Sequence, residues 1–133
     1  MGTSAVEKYL EVIYEIARSG GSTRVKDVAK SLNVSLASVS EMLDRLVQQG
    51  YVAHDKYRRI TLTPKGKKLA MRLDRKHAVI MRFFTNILEV DEEVANKDAC
   101  EIEHVISDET LEKLVRFLES VEKSSKSNKT KGK

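Results

Sequence analysis

Three residues with metal-binding side chains lie close together in the second half of the chain. Cys100, Glu103 and His104 have i, i+3 and i+4 spacing, which puts them on one face of a predicted helix. His77, on the apolar stripe of another predicted helix, and Glu11, on the polar edge of the first, are further candidates. A mixed set of nitrogen, oxygen and sulfur donors favours Fe, Mn, Co, Ni or Zn over Ca or Mg. We therefore expect a transition-metal site.

Each of these residues also has an ordinary structural interpretation. His77 fits a hydrogen-bonded core histidine, Cys100 fits a small buried apolar side chain, and Glu103 and His104 fit surface polar groups. Their joint occurrence is what indicates a metal site. The motifs HExxH, GxSxG, paired CxxC and the glycine-rich phosphate loop do not occur in the sequence. We therefore expect a binding protein and not an enzyme.

Charge is distributed unevenly along the 133 residues, although the formal net charge is only +4. Residues 1–76 carry 15 basic and 8 acidic side chains, whereas residues 77–122 carry 4 basic and 12 acidic ones. Six cations and no acid lie between Lys56 and Lys68. A basic first half predicts an anionic partner such as the phosphate backbone of DNA. A solvated basic surface is the alternative interpretation.

The apolar periodicity of the first half predicts three helices and a hairpin. A first helix begins near Val6 and ends at Gly20, a second covers Asp27–Leu32, and a third is N-capped by Ser35 and ends near Gln49. Two short β-type runs, 51–53 and 60–62, then predict a hairpin. Two short helices followed by a hairpin are the outline of a winged helix-turn-helix, a DNA-binding fold.

In this fold the third helix would read DNA, because its exposed N-terminal positions are small or polar and allow close approach to base edges in the major groove. The wing and the start of the next helix would contact phosphates. The predicted DNA-contacting residues are Ser35, Ala37, Ser38, Ser40 and Glu41 on the third helix, and Lys56, Arg58, Arg59 and Lys65 beyond it.

The second half of the chain is predicted to be helical. Thr63 and Pro64 open a long fourth helix that ends near Glu89, Asp91 opens a fifth that runs to about Ile106, and 107–108 cap a sixth. The apolar stripe of the fourth helix comprises Leu69, Leu73, His77, Ile80, Phe84 and Leu88. We expect a mainly α fold, with a winged helix-turn-helix domain at 1–63, a helical domain at 64–122, and a disordered Lys/Ser tail at 123–133.

Composition limits the cellular context. The single cysteine cannot form an internal disulfide, and no apolar run approaches the roughly 18 residues of a membrane helix. The N-terminus lacks the pattern of a signal peptide. We therefore expect a cytoplasmic protein that does not contact a membrane.

Three stretches carry a resemblance to a known family, namely Glu7–Tyr14, Lys56–Gly66 and Cys100–Ser107. They resemble the metal-dependent repressors typified by the diphtheria toxin repressor and the manganese transport regulator, and the similarity runs from about Val6 to Leu118. The resemblance implies a homodimer with a winged-helix domain and a helical dimerisation domain. It also implies that Fe2+ or Mn2+, bound between these domains, promotes binding to palindromic operators of metal-uptake genes.

Carried over residue by residue, the family's metal-binding positions are Glu11, His77, Cys100, Glu103 and His104. Cys100 resembles the iron branch of the family, whereas Glu11 and the absence of a C-terminal SH3-like domain resemble the manganese branch. The physiological metal is therefore open between Fe2+ and Mn2+, and Co2+, Ni2+ or Zn2+ would also suit these donors in vitro.

The sequence departs from the family pattern at three positions. Lys8 stands where the family has a ligand Asp or Met, and an ammonium group repels a cation. Met81 and Asn96 stand where iron-type members have the Glu and His of a second site. We expect that second site to be incomplete. Two alternatives stay open: a metal-independent regulator in which Lys8 replaces a ligand, and a small metal-binding or redox-sensing protein that uses Cys100.

Overall fold

A computed structural model describes the backbone of residues 3–55 and 59–131 and the side chains of residues 5–55 and 59–124. Two of the predicted DNA-contacting residues, Lys56 and Arg58, therefore lie outside the described residues. The chain forms two compact units, Met1–Asp74 and Arg75–Lys133. The division falls eleven residues beyond the domain boundary expected after residue 63, inside a helix shared by both units.

The first unit is a winged helix-turn-helix. Its elements are α1 (Thr3–Arg18), β1 (Thr23–Arg24), α2 (Val25–Leu32), α3 (Leu36–Gln48), β2 (Val52–His54), β3 (Arg59–Leu62) and the beginning of α4 (Pro64–Arg82). The strands form an antiparallel sheet in the order β1–β3–β2. Thr23 pairs with Ile60, and Val52 pairs with Leu62. The predicted hairpin is confirmed, and β1 is an edge strand that the sequence analysis did not predict.

A single apolar core holds these elements together. It is formed by the inward faces of the three helices and the two longer strands, and its buried residues are Val6, Tyr9, Leu10, Ile13, Val28, Ala29, Val39, Leu43, Leu46, Val52 and Ile60. Burial of the Tyr9 ring raises the pKa of its phenol, because the charged form would lose its hydration. The core residues of α3 recur at helical spacing, so the opposite face of that helix is left to solvent.

The turn between α2 and α3 is defined by its capping residues. Asn33 ends α2 in the left-handed conformation, with φ of 55°, which asparagine tolerates better than most residues. Ser35 then N-caps α3 by accepting a hydrogen bond from the backbone N–H of Ser38 at 3.1 Å. The predicted N-cap is confirmed. These caps fix the direction in which α3 leaves the turn.

The start of α4 packs closely against the backbone of Gly50 and Tyr51, which lie just beyond the end of α3. The Thr63 hydroxyl donates to the Gly50 carbonyl at 2.6 Å and accepts from the Gly66 N–H at 3.1 Å, so Thr63 is the predicted N-cap. A Cβ atom on Gly66 would lie 2.0 Å from the carbonyl oxygen of Tyr51. The position therefore requires glycine for space, not for backbone conformation.

The second unit is helical. It contains the rest of α4, a π-helical turn (Phe83–Ile87), α5 (Glu92–Ile102) and α6 (Asp108–Lys131). The core of this unit is small and is centred on Val79, Leu111 and Leu118. Ion pairs at the edge of this core join α4 to α6, and they are Arg75–Glu112, Lys76–Asp108 and Arg82–Glu122.

Two helix ends in the second unit differ from the prediction. The sequence predicts Leu88 on the buried stripe of α4, but its side chain is 54% exposed. The N–H of Leu88 donates to the carbonyl of Phe83, five residues earlier, and this π-helical hydrogen bond shifts the register of the helix. Helix α5 ends at Ile102 and not near Ile106, so Glu103 is its C-cap and His104 lies beyond it. The expectation that Cys100, Glu103 and His104 share one face of a continuous helix is therefore wrong.

The C-terminal residues also differ from the expected disordered tail, because the backbone of α6 stays helical to Lys131. Lysine is a good helix former, and the segment has no proline or glycine before Gly132 to end the helix. None of the helices that the structure describes combines the length and apolarity needed to cross a membrane.

Candidate functional site

Two helices of the second unit bring three of the predicted metal ligands together. His77 lies on α4 between the buried residues Leu73 and Ile80, so its ring emerges at the edge of the apolar stripe and is half-buried. Cys100 lies in the last turn of α5, and Glu103 is the C-cap of that helix. One potential ligand atom from each of these three side chains lies within 4.8 Å of the other two.

The contacts of the His77 ring divide between its two nitrogens. Nδ1 lies 2.9 Å from Oε1 of Glu103 and 3.9 Å from Sγ of Cys100. Nε2 lies 2.9 Å from Oδ1 of Asn96, on the preceding turn of α5. A ring nitrogen and a carboxylate oxygen at 2.9 Å must share a proton or a cation, because two lone pairs would repel. The Nδ1 edge of the ring therefore faces the other two potential ligands.

Glu103 is the most unusual residue of this cluster. Its side chain is 0% exposed, and it is the one charged residue that is buried in the described part of the chain. Oε2 is a buried oxygen with no hydrogen-bond partner among the residues that the structure describes. An unsatisfied buried acceptor costs about 1–3 kcal/mol, and a buried carboxylate is retained only where a cation or hydrogen bonds compensate it. A metal ion would supply that compensation.

The donor set and its spacing both fit a transition-metal ion. Bonds from nitrogen, oxygen or sulfur to such an ion are about 2.0–2.3 Å long, so two ligands of one ion lie at most about 4.6 Å apart. The distances from Nδ1 of His77 to Oε1 of Glu103 and to Sγ of Cys100, 2.9 and 3.9 Å, lie within that limit. An imidazole, a thiolate and a carboxylate form a borderline set that suits Fe2+, Mn2+, Co2+, Ni2+ or Zn2+. Residues His77, Cys100 and Glu103 would hold the ion.

The other predicted ligands lie outside this cluster of three. His104 follows Glu103 directly and is half-buried. Glu11 and Lys8 belong to α1 of the first unit, where Glu11 is half-buried and Lys8 is exposed. Their participation in a metal site stays a prediction.

The predicted DNA-reading surface is the exposed face of α3. Ser35, Ala37, Ser38, Ser40 and Glu41 are all exposed, whereas the intervening Val39 is fully buried. The hydroxyls of Ser35 and Ser38 bond to each other at 3.0 Å, so both are partly occupied within the protein. Base contacts by these residues stay a prediction.

Among the predicted phosphate-contacting residues that the structure describes, Arg59 and Lys65 have partners within the protein. The Arg59 side chain pairs with Asp55 at 2.9 Å on the exposed side of the wing. The Lys65 ammonium donates to the Gln49 carbonyl at 2.7 Å, and it lies 4.6 Å from the centre of the Tyr51 ring. Lys65 therefore binds the C-terminal end of α3, about 20 Å from the end that Ser35 caps. A phosphate contact at Lys65 stays a prediction.

Two residues, one on α3 and one beside the metal cluster, are not among the site residues that the sequence predicts. Leu36 opens α3 and is 58% exposed. Asn96 stands where iron-type members of the family have a ligand of the second site, and its amide oxygen contacts His77. The i, i+4 spacing of Asn96 and Cys100 was the available signal, since it places both on one face of α5.

Family models match both parts of the chain. The model for the N-terminal DNA-binding domain of iron-dependent repressors matches residues 1–60. The model for the iron-dependent repressor metal-binding and dimerisation domain matches residues 63–130. Together they cover nearly the whole chain.

Individual proteins show the same similarity. An HTH-type transcriptional regulator MntR from Lysinibacillus sphaericus is 36% identical over 124 residues, which are 93% of this chain and 88% of that protein. An uncharacterised HTH-type regulator from Methanocaldococcus jannaschii is 38% identical over 118 residues, which are 88% of this chain and 94% of that one.

Among solved structures, the manganese regulator SloR matches with a TM-score of 0.77 and 36% identity, over 86% of this chain. This chain spans about half of that one, at 53%. The matched domains, the relatives and the geometry of the cluster agree. The chain belongs to the iron-dependent repressor family, the metal-dependent transcriptional regulators of the diphtheria toxin repressor and manganese transport regulator type.

Proposed function

We propose that this chain is a metal-gated transcriptional repressor of metal-uptake genes that acts in the cytoplasm by binding DNA, without a catalytic step. Fe2+ or Mn2+ is the corepressor, and the active form is a homodimer on a palindromic operator. The observation that carries the proposal is the buried Glu103 carboxylate, whose second oxygen has no hydrogen-bond partner among the described residues. Such a group favours a bound cation over the metal-free state.

Within this proposal the metal site contains more than the cluster of three. His104 and Glu11 are the further ligands of this proposal, beside His77, Cys100 and Glu103. Acidic ligands repel one another in the absence of a cation, so metal binding favours the arrangement in which they converge. The metal then selects a conformation that binds DNA.

DNA is read by the first turns of α3. The hydroxyl of Ser40 and the carboxylate of Glu41 reach base edges in the major groove, where a carboxylate accepts from the cytosine amino group. Leu36 adds an apolar contact of the kind that thymine methyl groups make with side chains. The cations of the wing contact phosphates on either side, which makes the affinity strongly dependent on salt.

Binding measurements test the proposal in two steps. Calorimetric titration with Mn2+ and with Fe2+ under anaerobic conditions measures metal affinity. The affinity for DNA is then measured with metal and with chelator, on a duplex selected from random sequence by the metal-loaded chain. We expect tight binding with metal and weak binding with chelator, and Glu103→Gln should remove the difference. Equal DNA affinity in metal and in chelator would refute the proposal.

A metal-independent regulator is the second candidate, and Lys8 is the observation that favours it. Lys8 lies three residues before Glu11 on α1, so the two occupy neighbouring positions on that helix. An ammonium group there would take the place of a metal cation. In that case wild-type DNA binding would be insensitive to chelator. Metal-dependent binding by the wild type and by Lys8→Asp would exclude this candidate.

A further inference from the structure

The hydrogen-bond partners of His77 decide which of its nitrogens can bind a metal. A neutral imidazole has one N–H and one free lone pair, and the partner of one nitrogen determines the state of the other. A metal on Nδ1 therefore requires the hydrogen to be on Nε2. Histidine ligands of metals usually donate their second N–H to a carbonyl or carboxylate oxygen that keeps the ring in place.

Asn96 has the geometry of such a partner. Its Oδ1 lies 2.9 Å from Nε2 of His77, on the side of the ring away from Cys100 and Glu103. Asn96 and Cys100 are one turn apart on α5, so this helix contacts both edges of the imidazole. An amide oxygen only accepts hydrogen bonds, and it therefore requires the hydrogen on Nε2.

We infer that Asn96 is a positioning residue for metal binding. By accepting a hydrogen bond from Nε2–H, its amide oxygen keeps a hydrogen on that nitrogen. The metal then binds at Nδ1, where it displaces to solvent the proton that Nδ1 shares with Glu103. The side chain itself does not bind the ion. This inference rests on the metal site of the proposed function and adds the residue that selects the ligand nitrogen of His77.

Two substitutions at Asn96 separate this role from a general structural one. Asn96→Ala removes the acceptor, and loss of such a partner lowers metal affinity by about 10–100-fold in comparable sites. Asn96→Asp keeps an acceptor oxygen at the same reach, so it should retain or exceed the wild-type affinity. If Asn96 were needed only for its neutral amide or its packing, the Asn96→Asp variant would lose metal affinity as the Asn96→Ala variant does. Lys97→Ala, at the next position of the same helix, is the matched control.

The experiment uses the full chain in the absence of DNA. Mn2+ and Zn2+ affinities are measured by calorimetry, and the zinc-loaded chain is used to record the 15N NMR signals of the imidazole, because Zn2+ is diamagnetic. We expect protonated Nε2 and metal-bound Nδ1 in the wild type and in Asn96→Asp. Asn96→Ala should show weaker binding together with a changed or mixed pattern of ring nitrogens.

Three results would overturn the inference. The first is an Asn96→Ala variant with unchanged metal affinity and unchanged ring signals. The second is an Asn96→Asp variant that binds metal as weakly as Asn96→Ala. The third is a metal bound through Nε2 in the wild type. The outcome is separable from that of the proposed function. A chain that binds metal through Nδ1 but binds DNA equally with and without metal would refute only the proposed function, whereas a chain that binds none of Mn2+, Zn2+ and Fe2+ would refute both.

Discussion

The buried carboxylate of Glu103 predicts a conflict between metal-free stability and metal binding. Glu103→Gln preserves the size of the side chain and an oxygen that can accept from His77, but it removes the buried charge. An orphaned buried acceptor costs about 1–3 kcal/mol, and an amide is less costly to bury than a carboxylate. We therefore expect the metal-free variant to be at least as stable as the wild type, with a gain of no more than about 3 kcal/mol.

Bound metal should stabilise the wild type but not the variant. At a free Mn2+ concentration of a hundred times the dissociation constant, a ligand of the folded state raises the free energy of unfolding by about 2.7 kcal/mol. The wild type should show this gain and Glu103→Gln should show none, when urea unfolding is followed by circular dichroism in chelator and in Mn2+. Glu101→Gln, an exposed carboxylate on the same helix, should keep the gain. A Glu103→Gln variant that is destabilised in chelator and still stabilised by Mn2+ would refute the reasoning.

Three further predictions follow from the first unit. Gly66→Ala should lower the free energy of unfolding by about 2–4 kcal/mol in urea titrations, because the new Cβ would displace the Tyr51 carbonyl from its hydrogen bond. The control is Gly21→Ala, which has open space around the new Cβ and should leave the free energy of unfolding nearly unchanged. Lys65→Met should cost about 1 kcal/mol in the same assay, because the last carbonyls of α3 lose a charged donor; an unchanged stability would contradict this. Leu36→Ala should weaken binding to a selected duplex, as measured by fluorescence anisotropy, and the affinity of this variant should no longer change when thymine is replaced by uracil. If that replacement lowers the affinity of the wild type and of the variant equally, the thymine contact is contradicted.

The winged helix was predictable because its signals are local. The N-cap at Ser35, the glycine at Gly50 and the Thr63–Pro64 start of α4 each act on the residues beside them, and all appear where they were expected. Strand β1 was missed because two residues carry no periodicity, and their pairing with Arg59 and Ile60 is a long-range contact.

The candidate metal site was predictable in its composition but not in its geometry. Residue types identified His77, Cys100 and Glu103, and the structure brings them together. Residue spacing alone does not report the end of α5 at Ile102 or the π-helical turn after α4. The contact between His77 and Asn96 joins residues 19 positions apart, so the i, i+4 spacing of Asn96 and Cys100 places both on one helix face but does not report which residue they contact.

One comparison decides whether metal controls this protein. Fluorescence anisotropy of a labelled duplex, selected from random sequence by the Mn2+-loaded chain, measures DNA affinity in Mn2+ and in chelator at one salt concentration. A metal-gated repressor requires an affinity at least about tenfold higher in Mn2+, a coupling free energy of about 1.4 kcal/mol. Glu103→Gln should bind as weakly in Mn2+ as the wild type does in chelator. Equal affinity of the wild type under both conditions would contradict metal control of DNA binding.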